Sequence, residues 1–153
     1  MSDDARFEDA DARPLRLLAR EGDDLQVISA LCQDAVLTAG DMAFRRGERR
    51  FALLLNRFRW EENRQPPERA RAMLVIDGAM GVRSQWIDRT DSETVLSLLS
   101  LTFEPGGDGM GTLVLTFAGD GAVAIAVEML EVTLRDVTRP YSAPSGQTPR
   151  HEA

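Results

Sequence analysis

The sequence predicts an α+β domain built on an antiparallel sheet, a β-meander or half-open barrel of about six to seven strands with one N-terminal amphipathic helix. Three observations lead there. One segment, GDDLQVISALCQDAV, spaces its apolar residues at helical intervals. From residue 36 onward the apolar residues recur instead at every second position. The turn signals RRGERR, ENRQPPE, EPGGDGMG and AGDG separate those runs by connections too short for crossover helices.

Taken in order, PLRLLARE (residues 14–21) reads as a short strand. The helix follows, with Leu25, Ile28, Cys32 and Ala35 on one stripe. Asp23 is its expected N-cap, with Gln26 three residues on and Asp24 complementing the dipole. Cys32 falls on the apolar stripe and is therefore expected to be a buried, unreactive thiol. Strand-like runs come next near residues 36–45, 50–61, 70–87, 94–104, 111–118 and 122–136. GGDGMG precedes the strand TLVLTF, where a phosphate cradle would open a helix, so it is expected to be a hairpin connection. In the final run the apolar residues hold odd positions through Met129 and even positions from Leu130. Glu128 and Glu131 flank that switch of facing, which a bulge would produce. The alternative is a helix with Val127, Leu130, Leu134 and Val137 on one side.

The stretch FALLLNRFRWEE (residues 51–62) changes character halfway. Its even side carries Ala52, Leu54, Phe58 and Trp60, interrupted by Asn56, whereas on its odd side Phe51, Leu53 and Leu55 give way to Arg57, Arg59 and Glu61. The parity predicts a strand that leaves the core partway, with Asn56 in the core-facing row and Arg57 and Arg59 in water. A sheet that reads single-stranded nucleic acid needs aromatics and cations on one face, and here they oppose each other.

With 153 residues, 43% of them hydrophobic, the chain suits one domain, expected over residues 14–137 between disordered tails at 1–13 and 138–153. All eighteen cationic side chains are Arg, so neither a Schiff-base lysine nor a phosphate-loop lysine is available. One Cys and one His preclude an internal disulfide and a Cys/His zinc site, and no cofactor is expected. The one His, His151, falls in the expected C-terminal tail, without the fixed geometry that a general base needs. The acidic N-terminus and the lack of a long apolar run lead us to expect a soluble, cytoplasmic protein with no membrane contact.

Net charge is -7, yet residues 45–71 hold nine Arg against four acids. That segregation disfavours nucleic acid and suits an acidic protein partner or self-association. The candidate binding residues are Arg45, Arg46, Arg49, Arg50, Asn56, Arg57, Arg59, Arg83, Glu128 and Glu131. The expected role is a non-enzymatic binding or assembly module. The alternative is an enzyme or sensor for a small anionic metabolite, with Asn56, Arg83 and Glu128 in one pocket. A half-open barrel of this kind is similar to the pleckstrin-homology superfold.

The runs DLQVISALCQDAV, RRFALLLNRFRWE and VLSLLSLTFEPG together resemble a bacterial family of unknown function, number 2948, found mainly in alphaproteobacteria. Asp24, Leu25, Ile28, Ser29, Ala30, Gln33, Asp34 and Ala35 fit its helix motif. Phe51, Leu53, Asn56, Arg57, Phe58, Trp60 and Glu61 fit its strand motif. The resemblance runs from Leu15 to Asp136 and implies a cytoplasmic protein without an assigned activity.

Overall fold

The computed structural model describes residues 14–62, 68–88 and 90–142. Among the described residues are one α-helix, α1 (Gly22–Leu31), and eleven strands. These are β1 (Arg16–Ala19), β2 (Ala35–Thr38), β3 (Met42–Arg45), β4 (Arg50–Phe58), β5 (Glu68–Asp77), β6 (Ala79–Gln85), β7 (Val95–Gly107), β8 (Met110–Phe117), β9 (Ala122–Val127), β10 (Val132–Asp136) and β11 (Tyr141–Ser142). Every strand pairing is antiparallel.

Two bent strand pairs curl the sheet. β5 and β6 are one run interrupted at Gly78, whose φ of 73° lies where a side chain is strained. β9 and β10 are likewise one run interrupted at residues 128–131, and the two runs pair along their length, β5 with β10 and β6 with β9. The Glu128 amide donates to the Gly78 carbonyl and the Asp77 amide to that of Glu131, so both bends fall at one level. The remaining pairings run β5–β4–β2–β7–β8–β9 and return to β6, which closes a circuit. At the β5 level β4 is bonded throughout, from Arg50↔Asp77 to Phe58↔Arg69. Beyond Gly78, β6 pairs along its length with β9 alone, its one other bond running from the Ala79 amide to the Arg49 carbonyl, while β3 bonds only to the first half of β4. The barrel is therefore split between β3 and β6 at one end; at the other, where β1 pairs only with β10, α1 lies against β1 and β7 and closes it.

Its core is a single cluster in which Leu53, Leu55, Leu74, Ile76, Leu98, Leu113, Leu115, Ile125 and Leu134 are all buried. The helix adds Leu25, Ile28 and Cys32 to that cluster, which is why those three positions are apolar at helical spacing. Ser29 Oγ accepts from the Leu101 amide at 2.9 Å, where a register shift in β7 between Leu98 and Ser100 frees that donor.

Several expectations change in physically instructive ways. The α+β class and the antiparallel sheet stand, but six sequence runs become nine strands and the flanking β1 and β11 complete eleven. Barrel curvature is the reason, because it breaks 36–45 at a 3-10 turn (Ala39–Asp41), 70–87 at Gly78 and 122–136 at residues 128–131. The helix starts two residues earlier than Asp23 implied: Glu21 is its N-cap residue, and Asp23 and Asp24 lie in the first turn. The helical alternative for residues 127–137 is overturned by strand β10. The expected tail over 1–13 lies outside the described residues, as does 143–153, with His151, of the tail expected over 138–153, whereas Tyr141–Ser142 of that tail pair with β5.

The largest correction concerns β4. Its odd row stays in the core to the end, with Phe51, Leu53, Leu55 and Arg57 all buried and Asn56 on the opposite, half-buried face. Arg59 is buried as well. The charges that the parity sent to water are kept inside by carboxylates, nearby ones from Glu61 and Glu68 and a distant one from Asp136.

Candidate functional site

The arginine-rich hairpin is built from β3, a 3-10 turn (Arg46–Glu48) and β4, with Arg49 taking a left-handed conformation (φ 51°) to enter β4. Three of its four arginines are matched by acids of the same chain. Arg45 reaches Glu48 at 3.9 Å, Arg49 pairs with Glu128, and Arg50 Nε donates to Asp77 Oδ1 at 2.9 Å. That bond to Asp77 also holds the Arg50 guanidinium above its ordinary pKa. Arg46 differs. Its guanidinium lies over the Phe44 ring, 5.3 Å from the centroid, and among the described residues no carboxylate comes within ion-pair distance of it.

Arg46 stands at the rim of a cavity of about 320 Å³ in the split end of the barrel. Its apolar wall is Met42 and Phe44 from β3, Phe51 from β4, Val82 from β6, Ile87 after β6 and Val123 from β9. Phe51 and Val123 are buried and form its floor. Ala39, Gly40, Ser84 and Ser92 complete the lining. The wall beside Gly40 is fixed by backbone bonds, since the Gly40 amide donates to the Ser92 carbonyl and the Ala39 amide to that of Thr94, both at 2.8 Å. The 3-10 turn that carries Gly40 is tied in turn by Asp41 Oδ2, which accepts from the Thr38 amide and hydroxyl. On β6 the side chains alternate, so Val82 and Ser84 face the cavity and the exposed Arg83 points away. Trp86, 80% exposed, stands beside the site at the end of β6.

The opposite, closed end is charged and sealed. Arg57, fully buried, donates through Nε and Nη2 to the two oxygens of Asp136 at 2.9 Å, and through Nη1 and Nη2 to Glu61 at 2.8 and 2.7 Å. Burial pulls its pKa down, but the bonds to Glu61 and Asp136 outweigh that and hold the guanidinium charged. For Glu61, burial raises the pKa and the Arg57 bonds and charge overcome it, so its carboxyl sits below the usual range. Asp136 Oδ2 also accepts from the Leu15 amide, which ties β1 to the network. Arg59 donates to Glu68 at 2.9 Å, and Trp60 Nε1 donates to the Gln33 carbonyl at 2.9 Å. Phe58 packs against Trp60, with ring centroids 5.4 Å apart, and carries the Arg69 guanidinium over its ring at 4.1 Å. Cys32 lies in this end, and burial pushes its thiol up to about 12, eased by the charge of Arg57 and raised by that of Asp136. These groups bind one another.

The ten residues expected as a site are thus dispersed. Arg57 and Arg59 hold the closed end, Arg45, Arg46, Arg49 and Arg50 the hairpin, and Glu128 and Glu131 the strand interruption, where Glu131 meets Arg20 at 3.4 Å. Asn56, Arg83 and Glu128 line neither the split-end cavity nor the groove beside α1. The second cavity, a groove of about 670 Å³, runs from the first turn of α1 to the β7–β8 hairpin, lined by Leu25, Leu101, Phe103, Met129 and Leu130 among others. The split-end cavity escaped the sequence reading except for Arg46. Its one sequence signal is the polar interruption Ser84 in the cavity-facing row of β6. No cluster of three or more His, Cys, Asp or Glu side chains fit to hold a metal occurs among the described residues. No helix among the described residues is long and apolar enough to cross a membrane.

No curated protein and no solved structure shows a significant match to the chain. The model of one family, described as a protein of unknown function (DUF2948), matches residues 15–151, which takes in the helix, the arginine hairpin, the split-end cavity and the sealed charged end; the chain belongs to the DUF2948 family.

Proposed function

We propose that this protein is a non-enzymatic binding module, a half-open barrel of pleckstrin-homology kind, whose ligand site is the cavity between β3 and β6. The observation that carries the reading is the pairing of that cavity with Arg46. About 320 Å³ lies within the size range of small-molecule sites, its walls are fixed by the sheet, and its lining is mostly apolar with a few polar groups. That lining offers one guanidinium and two serine hydroxyls, without a carboxylate, imidazole or thiol to take up a proton. Such a set favours holding a ligand over transforming it.

The alternative reading, in which the hairpin arginines dock an acidic protein or a second copy, has less to draw on. Arg45, Arg49 and Arg50 already face Glu48, Glu128 and Asp77, and exposed pairs of this kind are screened by salt.

The test is a titration with the neutral fluorescent probe N-phenyl-1-naphthylamine. The parent should give a saturable rise in emission, and Ser84→Phe, which places a ring in the cavity, should remove it. An absent rise in the parent, or an equal rise in the variant, would show that the cavity is not the site.

A further inference from the structure

We infer that the split-end cavity takes a medium-length apolar monocarboxylate, its carboxylate held by Arg46 and its hydrocarbon portion seated against Phe51 and Val123; this deepens the binding reading above and rests on it. The head group follows from the setting of Arg46. A guanidinium stacked on an aromatic ring uses its face and leaves its in-plane N–H donors free, and those donors match a carboxylate in a bidentate pair. The neighbouring arginines are matched within the chain, so among the described residues the rim presents one uncompensated cation.

One cation sets the ligand charge at one. The turn that supplies Ser92 also carries Asp91 and Glu93, and the protein as a whole is at -7. A phosphate monoester would bring a second negative charge with no partner into that field, which disfavours it. A polyanion would be disfavoured further, while a neutral amphiphile would leave the guanidinium unused.

The volume sets the length. At the packing density of protein interiors, 320 Å³ holds roughly a dozen methylene groups, or a chain of about eight to ten carbons with the head at the rim. Met42, Phe44, Val82 and Ile87 surround that chain, so an extended polar ligand such as a sugar would lose hydrogen bonds on entry.

The experiment is isothermal titration of the full chain with octanoate and with 1-octanol, at 150 mM NaCl, in the parent and in Arg46→Gln, Arg45→Gln and Ser84→Phe. The expected result is that the parent binds octanoate at least tenfold tighter than 1-octanol. Arg46→Gln should lose about tenfold for octanoate and leave 1-octanol unchanged, Arg45→Gln should match the parent, and Ser84→Phe should lose both ligands. Arg46 is exposed, so its variant keeps the fold, and a matching far-ultraviolet spectrum verifies this. Equal affinity for the two ligands in the parent, or octanoate affinity unchanged in Arg46→Gln, would overturn the monocarboxylate inference while leaving the cavity as a site. Binding of both ligands that survives Ser84→Phe, or no binding of either to the parent, would overturn the site itself.

Discussion

Replacing Arg57 with Met is the most informative perturbation of the closed end. The side chain is fully buried and makes four hydrogen bonds to two carboxylates, and a fifth from Nη1 to the Phe58 carbonyl at 3.1 Å. Met fills much of the same space, so the cavity penalty is small and the effect is electrostatic. Asp136, with a side chain 3% exposed, would keep only the Leu15 amide as donor. Removing one partner of a buried ion pair costs about 3–5 kcal/mol. Against a total of roughly 5–15 kcal/mol that is a large fraction. The melting temperature should fall by roughly 10 °C, taking about 2–4 °C per kcal/mol at this chain length. Urea unfolding followed by circular dichroism measures it, with the slope checked to remain that of the parent. The double variant Arg57→Met/Asp136→Leu should recover most of the loss, because buried ion pairs replaced together by apolar groups are often neutral or better. A single-variant loss under about 1 kcal/mol, or a double variant no better than the single, would refute the argument.

Glu61 makes the closed end acid-sensitive. Its folded pKa is depressed from an ordinary 4.5, so its contribution is complete above that value and is lost as pH falls through the folded pKa; Glu61→Gln should lower stability at pH 7 and flatten the decline below pH 4.5, read by urea midpoints across pH. Native protein should leave Cys32 unmodified by a thiol reagent at pH 8 and yield one reactive thiol in denaturant, since burial puts its pKa near 12; modification without denaturant would remove the residue from the core. Asn56 Oδ1 is buried without a hydrogen-bond partner among the described residues, so Asn56→Val should raise stability by about 1 kcal/mol in the same unfolding assay, and a loss of that size would mean the amide is satisfied.

What local pattern could convey, the sequence conveyed. The stripe Leu25, Ile28 and Cys32 located the helix and its buried face, and the switch between Met129 and Leu130 marked where β9 gives way to β10. Charge on a core row was the point of failure. Period-two counting alone keeps Arg57 in line with Phe51, Leu53 and Leu55, and the reading left that row because an arginine inside needs a partner. The partner is Asp136, 79 residues away, across a sheet whose strand order no local pattern states. Asn56 was misplaced by the same step.

The split-end cavity was hidden for a related reason. It exists because β6 departs from β4 at Gly78, and its lining gathers β3, β4, β6, β9 and three connecting segments. Arg46 was named as a candidate, but its difference from Arg45, Arg49 and Arg50 depends on Glu48, Glu128 and Asp77, of which only Glu48 is near in sequence.

The central claim is that ligand enters the barrel between β3 and β6. Methyl chemical-shift mapping during titration with N-phenyl-1-naphthylamine tests it most directly, since Val82, Ile87 and Val123 line that cavity and Leu25, Leu101 and Leu130 line the groove beside α1. The account predicts saturable shifts at the first three and none at the second three; shifts confined to Leu25, Leu101 and Leu130 would contradict it.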